Sequence, residues 1–293
     1  KHRRNLVPLD PSQTVISKLF VYDDKLYVGL ADYRVSIINL KSFNIITEIK
    51  QDLWEVKDVY VDSQNIYVGT LNEHLSIFNH NYELVRKLKH RLGVISLEVD
   101  DNYIYTGSHN GKVLIWNKVN YDFVNSLDNH LTRVNEIVVH DENIYTGDGF
   151  STEGGRIRKW DKAKFNLISE FNLPPCKRVN CMVIDSSYLY VGHGGPGEIR
   201  IIDLNTEFLI KKIETRSDIN SISLNDKFML IAFTDKIQIY DKSSFKLVKE
   251  ISEHGREVND CIFQDSYIIY SSRDQVKIID SQSFELLKCI KYK

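Results

Sequence analysis

The chain is poor in proline, cysteine and methionine, with five, four and two among 293 residues. Pro8, Pro11, Pro174, Pro175 and Pro196 all lie between or before strand-like runs. A residue without an amide donor interrupts no sheet ladder there. Cys176, Cys181, Cys261 and Cys289 are irregularly spaced and form no CxxC pair, which argues against a zinc site. They read as buried free thiols of a reducing compartment. No Asn-x-Ser/Thr acceptor occurs, no apolar run approaches the roughly 18 residues that span a bilayer, and no signal-peptide pattern opens the chain. The expectation is an intracellular protein, cytoplasmic or nuclear, with no membrane association. A net charge of -2 and a pI near 6.5 leave no basic field, so nucleic acid is not expected as a partner. GxxxxGK[ST], HExxH, the calcium DxDxDG loop and the nucleophile elbow are all missing. The chain therefore reads as a non-enzyme with no cofactor and no metal.

What is present is a short phrase, [Ile/Leu]-Tyr-[Val/Thr]-Gly, at Leu26–Gly29, Ile66–Gly69, Ile104–Gly107, Ile144–Gly147 and Leu189–Gly192. Worn copies follow at Leu230-Ile231-Ala232 and Ile269-Tyr270-Ser271-Ser272. With markers at 29, 69, 107, 147, 192, 232 and 272, the intervals are 40, 38, 40, 45, 40 and 40. Strand-like segments at a period near forty signal a propeller. The third repeat shows the unit. Residues 94–99 alternate as a half-buried strand, residues 103–107 form a second, and 112–116 a third. Asn110-Gly111 between the last two suits a hairpin with positive φ at both centres. An aromatic then opens each fourth strand: Phe43, Tyr82, Phe123, Phe165, Phe208, Phe245 and Phe284. The Tyr of the phrase (27, 67, 105, 145, 190, 270) reads as packing between blades.

The expected fold is an all-β, seven-bladed propeller with four antiparallel strands per blade. It forms one domain over 1–293, with blades at about 12–50, 51–90, 91–130, 131–173, 174–214, 215–254 and 255–293. Residues 1–11 precede it as an arm or edge strand, and the segment from Phe284 to Ile290 supplies the fourth strand of blade seven. Lys1-His2-Arg3-Arg4 reads either as the stub of a linker from a longer chain or as a free terminus.

His90…Val94…Thr106-Gly107-Ser108-His109-Asn110…Trp116-Asn117 resembles the phrase of the WD-repeat propeller family, and His130…Val134…Thr146-Gly147-Asp148…Trp160-Asp161 repeats it. A partial copy joins His254 and Val258 to Asp274 and Asp280. The resemblance runs from about residue 12 onward, with one true Trp-Asp pair. It implies a hydrogen-bonded chain within blades: His90, Ser108, Asn110 and Trp116 in one, His130, Thr146 and Trp160 in the next. It also places inter-blade connections and second-to-third-strand loops on one face, the top, where partners are expected.

Breaks in the repeat point to the same face. Blade four carries a long loop from Asp148 through Phe150 and Glu153 to Arg156, and blade five carries His193-Gly194-Gly195-Pro196-Gly197-Glu198. The connection between them, 173–178, contains Lys177 and Arg178. Arg91, Arg133, Arg178, Arg216 and Arg256 recur in the connections and suit a carboxylate or phosphate. Acidic neighbours in the same segments equally suit an ordinary solvated rim. Trp54 reads either as an interface anchor or as a cover for blade two. The expectation is a protein-interaction scaffold, a monomeric propeller alone or within a larger complex. The alternative is a reader of acidic or phosphorylated peptides. An enzyme would need Asp148, Glu153 and His193 to converge at the axis.

Overall fold

Seven antiparallel four-stranded sheets stand around a common axis, each with its strands in sequential order from axis to rim. The computed structural model describes residues 14–50, 54–149, 155–171, 178–195, 197–253 and 256–292. The blades run over 16–50, 56–89, 94–127, 134–170, 179–214, 219–252 and 261–291, with no helix among the described residues. The arm at Leu6–Leu9, with Pro8, lies outside them.

Strand position sets strand chemistry. A second strand such as Asn65–Thr70 is covered on both faces and is buried throughout, whereas the outer strand Leu84–Lys89 buries only Leu88. The core is divided among the gaps between blades. Tyr67 of blade two packs with Val94, Leu97, Ile104 and Trp116 of blade three. Gly in the repeated phrase has a steric cause: a Cβ at Gly69 would sit 2.9 Å from Val94 Cγ1, and one at Gly147 2.5 Å from Val179 Cγ1. The next blade's first strand lies directly on that glycine.

Three sequence expectations need correction. In blade seven, Tyr267 pairs with Asp280 as Lys25 pairs with Asn39, so Ile269 occupies the place of Tyr27. Tyr270 is one residue along and faces blade six. The seventh marker is Ser271, not Ser272. Second, the recurring aromatic sits in the turn before the fourth strand at positive φ: Phe43, Tyr82, Tyr121, Phe165, Phe245 and Phe284. Tyr121 therefore replaces Phe123 in the alignment, and Glu207 replaces Phe208. Glu207 reaches back to blade four, accepting from Lys159 Nζ at 2.9 Å and Ser169 Oγ at 3.1 Å. Third, in the 108–112 hairpin Gly111 has φ +77°, while Asn110 is not in the left-handed region.

A ring of polar bonds near the axis joins neighbouring blades. Asn135, Asn180 and Asn220 stand at one equivalent place in their first strands, and Asn259 lies just before the first strand of its blade. Each donates its Nδ2 to the next blade, to the carbonyls of Val179, Ile219, Val258 and Ile16, at 2.6, 2.8, 2.8 and 2.9 Å. Ser17 Oγ does the same to Val56 O at 2.6 Å, and Ser96 Oγ to Val134 O at 3.1 Å. Between blades two and three the link is Leu97 N–H to Asp58 Oδ2 at 2.8 Å. Blade seven takes its fourth strand, Leu286–Lys291, from its own C-terminal segment. Among the described residues no strand is shared between blades, and at the closing gap Leu19 N–H donates to Asp260 Oδ2 at 2.8 Å, beside the Asn259 bond.

Candidate functional site: the axial mouth

The inter-blade connections and the second-to-third-strand hairpins surround one end of the axis. They frame a cavity of about 570 Å³ whose wall includes Glu55, Leu71, His109, Arg133, Arg178 and Glu257. Its floor is the asparagine ring together with Ser17, Lys57 and Ile95. Each asparagine spends its amide N–H on the next blade, so its conformation is fixed by the fold.

Charge around the mouth is uneven. His109, Arg133 and Arg178 occupy the sector of blades three to five, and Glu55 and Glu257 lie across from them. Lys57 is held by Glu55 at 2.5 Å. Arg133 lies below the usual arginine range because burial and the Arg178 charge both disfavour its cation. His109 is lowered by burial, with Arg133 and Lys57 adding to it. Arg178 is paired with Asp218, Nη2 to Oδ2, at 2.7 Å.

Among the residues expected to bind partners, Arg133 and Arg178 line the mouth. Trp54 is exposed on the first connection, and Arg91 and Arg216 are exposed on theirs. Arg256 is paired with Asp274 at 3.1 Å. Arg156 turns away to the outer strand, where it meets Glu170 at 3.4 Å. Phe150, Glu153 and Lys177, with Pro196 and His254, lie outside the described residues. Asp148 and His193 are buried inside their blades, at 3% and 0% exposure, and so offer nothing to a partner at the surface.

Asp148 belongs to a directed chain. Trp160 Nε1–H donates to Thr146 Oγ1 at 2.8 Å, Thr146 donates to His130 Nε2 at 2.8 Å, and His130 Nδ1–H donates to Asp148 Oδ2 at 2.7 Å. Arg158 Nη1 closes it on Asp148 Oδ2 at 2.9 Å. Burial lowers the imidazole pKa, which suits a neutral ring with one donor and one acceptor nitrogen. In blade three the expected chain is not formed. Trp116 Nε1–H donates to Thr106 Oγ1 at 3.2 Å, and Thr106 donates to Leu114 O at 3.1 Å. Ser108 turns to Asn110 at 2.6 Å. His90 lies against the Trp116 ring, centroids 5.6 Å apart, and no hydrogen bond to its nitrogens is found among the described residues. Burial, with His74 nearby, pushes it down to about 4. The cause is residue 108: Ser cannot reach and orient the ring as Asp148 does.

Beneath the mouth, Lys18, Asp58, Glu136 and Asp260 project near the axis. Lys18 lies 3.4 Å from Asp58. Burial works to lower its pKa, but Asp58, Asp260 and Glu136 override this and hold it well above the ordinary lysine value. Burial raises Glu136 to about 8, with Asp58 and Asp260 adding to it against Lys18. No group of three or more His, Cys, Asp or Glu side chains among the described residues could hold a metal ion. Cys181 and Cys261 are buried thiols, whereas Cys289 is exposed, against expectation.

No family model matches the chain, and no curated protein matches it. Among solved structures it is similar to the computationally designed Ika8 protein, with a TM-score of 0.75 and 13% identity over 95% of this chain and 87% of that one. At that identity the likeness concerns the fold alone. Fold and comparison together define a seven-bladed β-propeller.

Proposed function

We propose that the chain is a non-catalytic protein-interaction scaffold of the WD-repeat kind that engages partners at the axial mouth. The observation that carries this reading is the framing of the mouth. Loops from several blades meet over a rigid, bonded floor and bring Arg133, Arg178, His109 and Glu257 to one cavity. Loops on a rigid frame are where recognition concentrates. Trp54, Leu92 and Leu131 are exposed on the connections and supply apolar anchors beside the charges. The Trp160–Thr146–His130–Asp148 chain supports the WD-repeat resemblance, since it joins the residues that the resemblance implies.

The test is affinity capture with the intact protein beside the triple variant Trp54→Ala, Arg133→Glu, Arg178→Glu. Partners retained by the first and lost from the second support the reading. Equal capture by both would sink it. A second reading, a reader of acidic or phosphorylated segments, is favoured by the approach of Arg133 to Arg178. Both line one cavity, and guanidinium groups suit carboxylate and phosphate oxyanions.

A further inference from the structure

Arg178 already holds a carboxylate, and the fold has placed it to do so. Gly194 N–H donates to Arg178 O at 3.0 Å, which fixes the blade-five hairpin against the arginine backbone. A Cβ at Gly194 would meet Arg178 Nε at 2.4 Å, and one at Gly149 would meet Arg178 Cα at 2.2 Å. Only glycine on both sides lets the arginine lie in this cleft. Asp218 comes from the next connection, and its Oδ2 accepts from Arg178 Nη2 at 2.7 Å. Its Oδ1 accepts the N–H of Gly195, which is at φ +88°. Gly197 allows the approach, since a Cβ there would lie 2.6 Å from Ser217 O. One side-chain donor and one backbone donor thus converge on a single carboxylate at the rim of the mouth. The pair is not sealed: Arg178 and Asp218 side chains are 32% and 31% exposed.

We propose that Asp218 is a built-in stand-in for a ligand's acidic group, and that Arg178 and the Gly195 N–H form an oxyanion subsite which a partner's carboxylate or phosphate takes over from it. This rests on the reading of the mouth as the partner site. Exchange of one carboxylate for another leaves Arg178 compensated at each end state. Because the pair is solvated, water can cover both groups as they part. Arg133 lines the same cavity.

The test compares wild type, Asp218→Asn and Arg178→Glu, titrated with a labelled peptide bearing adjacent glutamates and with one bearing phosphoserine. Asp218→Asn keeps an oxygen for the Gly195 N–H while removing the competing charge. It should bind tighter than wild type by about two- to fivefold, the worth of a solvated pair. Arg178→Glu should bind neither peptide. The peptide that gains in Asp218→Asn identifies the source of the oxyanion. In wild type, the Gly195 amide resonance should move as peptide is added, a readout independent of variant stability. Equal or weaker binding by Asp218→Asn, or a stationary Gly195 resonance at saturation, overturns the proposal. If either occurs while partners are still captured through the mouth, the stand-in fails and the scaffold reading stands.

Discussion

Thr146 joins two side chains with one hydroxyl, whereas Thr106 joins one side chain and a backbone carbonyl. Removing a shared buried hydroxyl strands the groups on either side of it. Thr146→Val should therefore cost about 1–3 kcal/mol and Thr106→Val about 1 kcal/mol. Urea unfolding of the two variants checks the order; a larger loss for Thr106→Val would contradict the directed chain. The two blades also mark how far single residues were legible. Both carry His, Thr and Trp at matching places in the sequence, yet only blade four forms the chain. The difference lies in Asp148 against Ser108, a change of reach and charge that spacing does not display. Asp148 and His193 looked like loop residues because they follow the repeated phrase, but each still belongs to a second strand, Asn143–Asp148 and Tyr188–His193.

The first strands and the residues leading into them carry both the packing of their own blade and the attachment to its neighbour. At the closure interface Asp260 accepts from Leu19 N–H, Ser221 Oγ and Cys261 N–H, while Asn259 makes one bond onward. Asp260→Ala leaves buried donors without an acceptor on both sides of the closing gap and should cost about 2–4 kcal/mol, against about 1 kcal/mol for Asn259→Ala. Hydrogen exchange at Leu19 should quicken in Asp260→Ala ahead of amides in blades three and four. Equal losses in the two variants would mean that closure does not depend on the carboxylate. The strands themselves were readable because alternation and turn residues repeat near every fortieth position. Blade seven was read one residue out of step, since Tyr270 imitates the phrase from the opposite face of its strand. The aromatic turn was misplaced in blades three and five for a similar reason. Left-handed φ at Tyr121 and Glu207 is a backbone property, and the more conspicuous Phe123 and Phe208 lie just beyond.

Across the whole molecule, the carboxylates gathered near the axis make stability depend on pH. Glu136 is raised from 4.5 to about 8, and Glu98 is also raised, by burial first and then by Glu136. The folded state keeps these protons after the unfolded chain has released them. Stability therefore falls as pH climbs from the ordinary glutamate range toward 8, and the Glu136 share is fully lost above it. Glu136→Gln should flatten that decline and make the protein more stable than wild type at about pH 8.5, by on the order of 2 kcal/mol. Chemical unfolding at about pH 5 and pH 8.5 measures it. An unchanged slope would remove Glu136 as the cause. None of this was visible in the sequence, where Lys18, Asp58, Glu136 and Asp260 are scattered over most of the chain and meet only when the ring closes. The same holds for the mouth: the recurrent arginines were legible, but not that Arg133 and Arg178 alone among them line it while Asp218 fills the second one's grasp. The most direct test of the mouth as the partner site is a photo-crosslinking residue introduced at His109, beside the same residue at Phe208. Phe208 is exposed in a third-to-fourth-strand turn at the opposite end of its blade. Partner adducts from position 109 and none from position 208 are the predicted result; adducts from position 208 alone would contradict it.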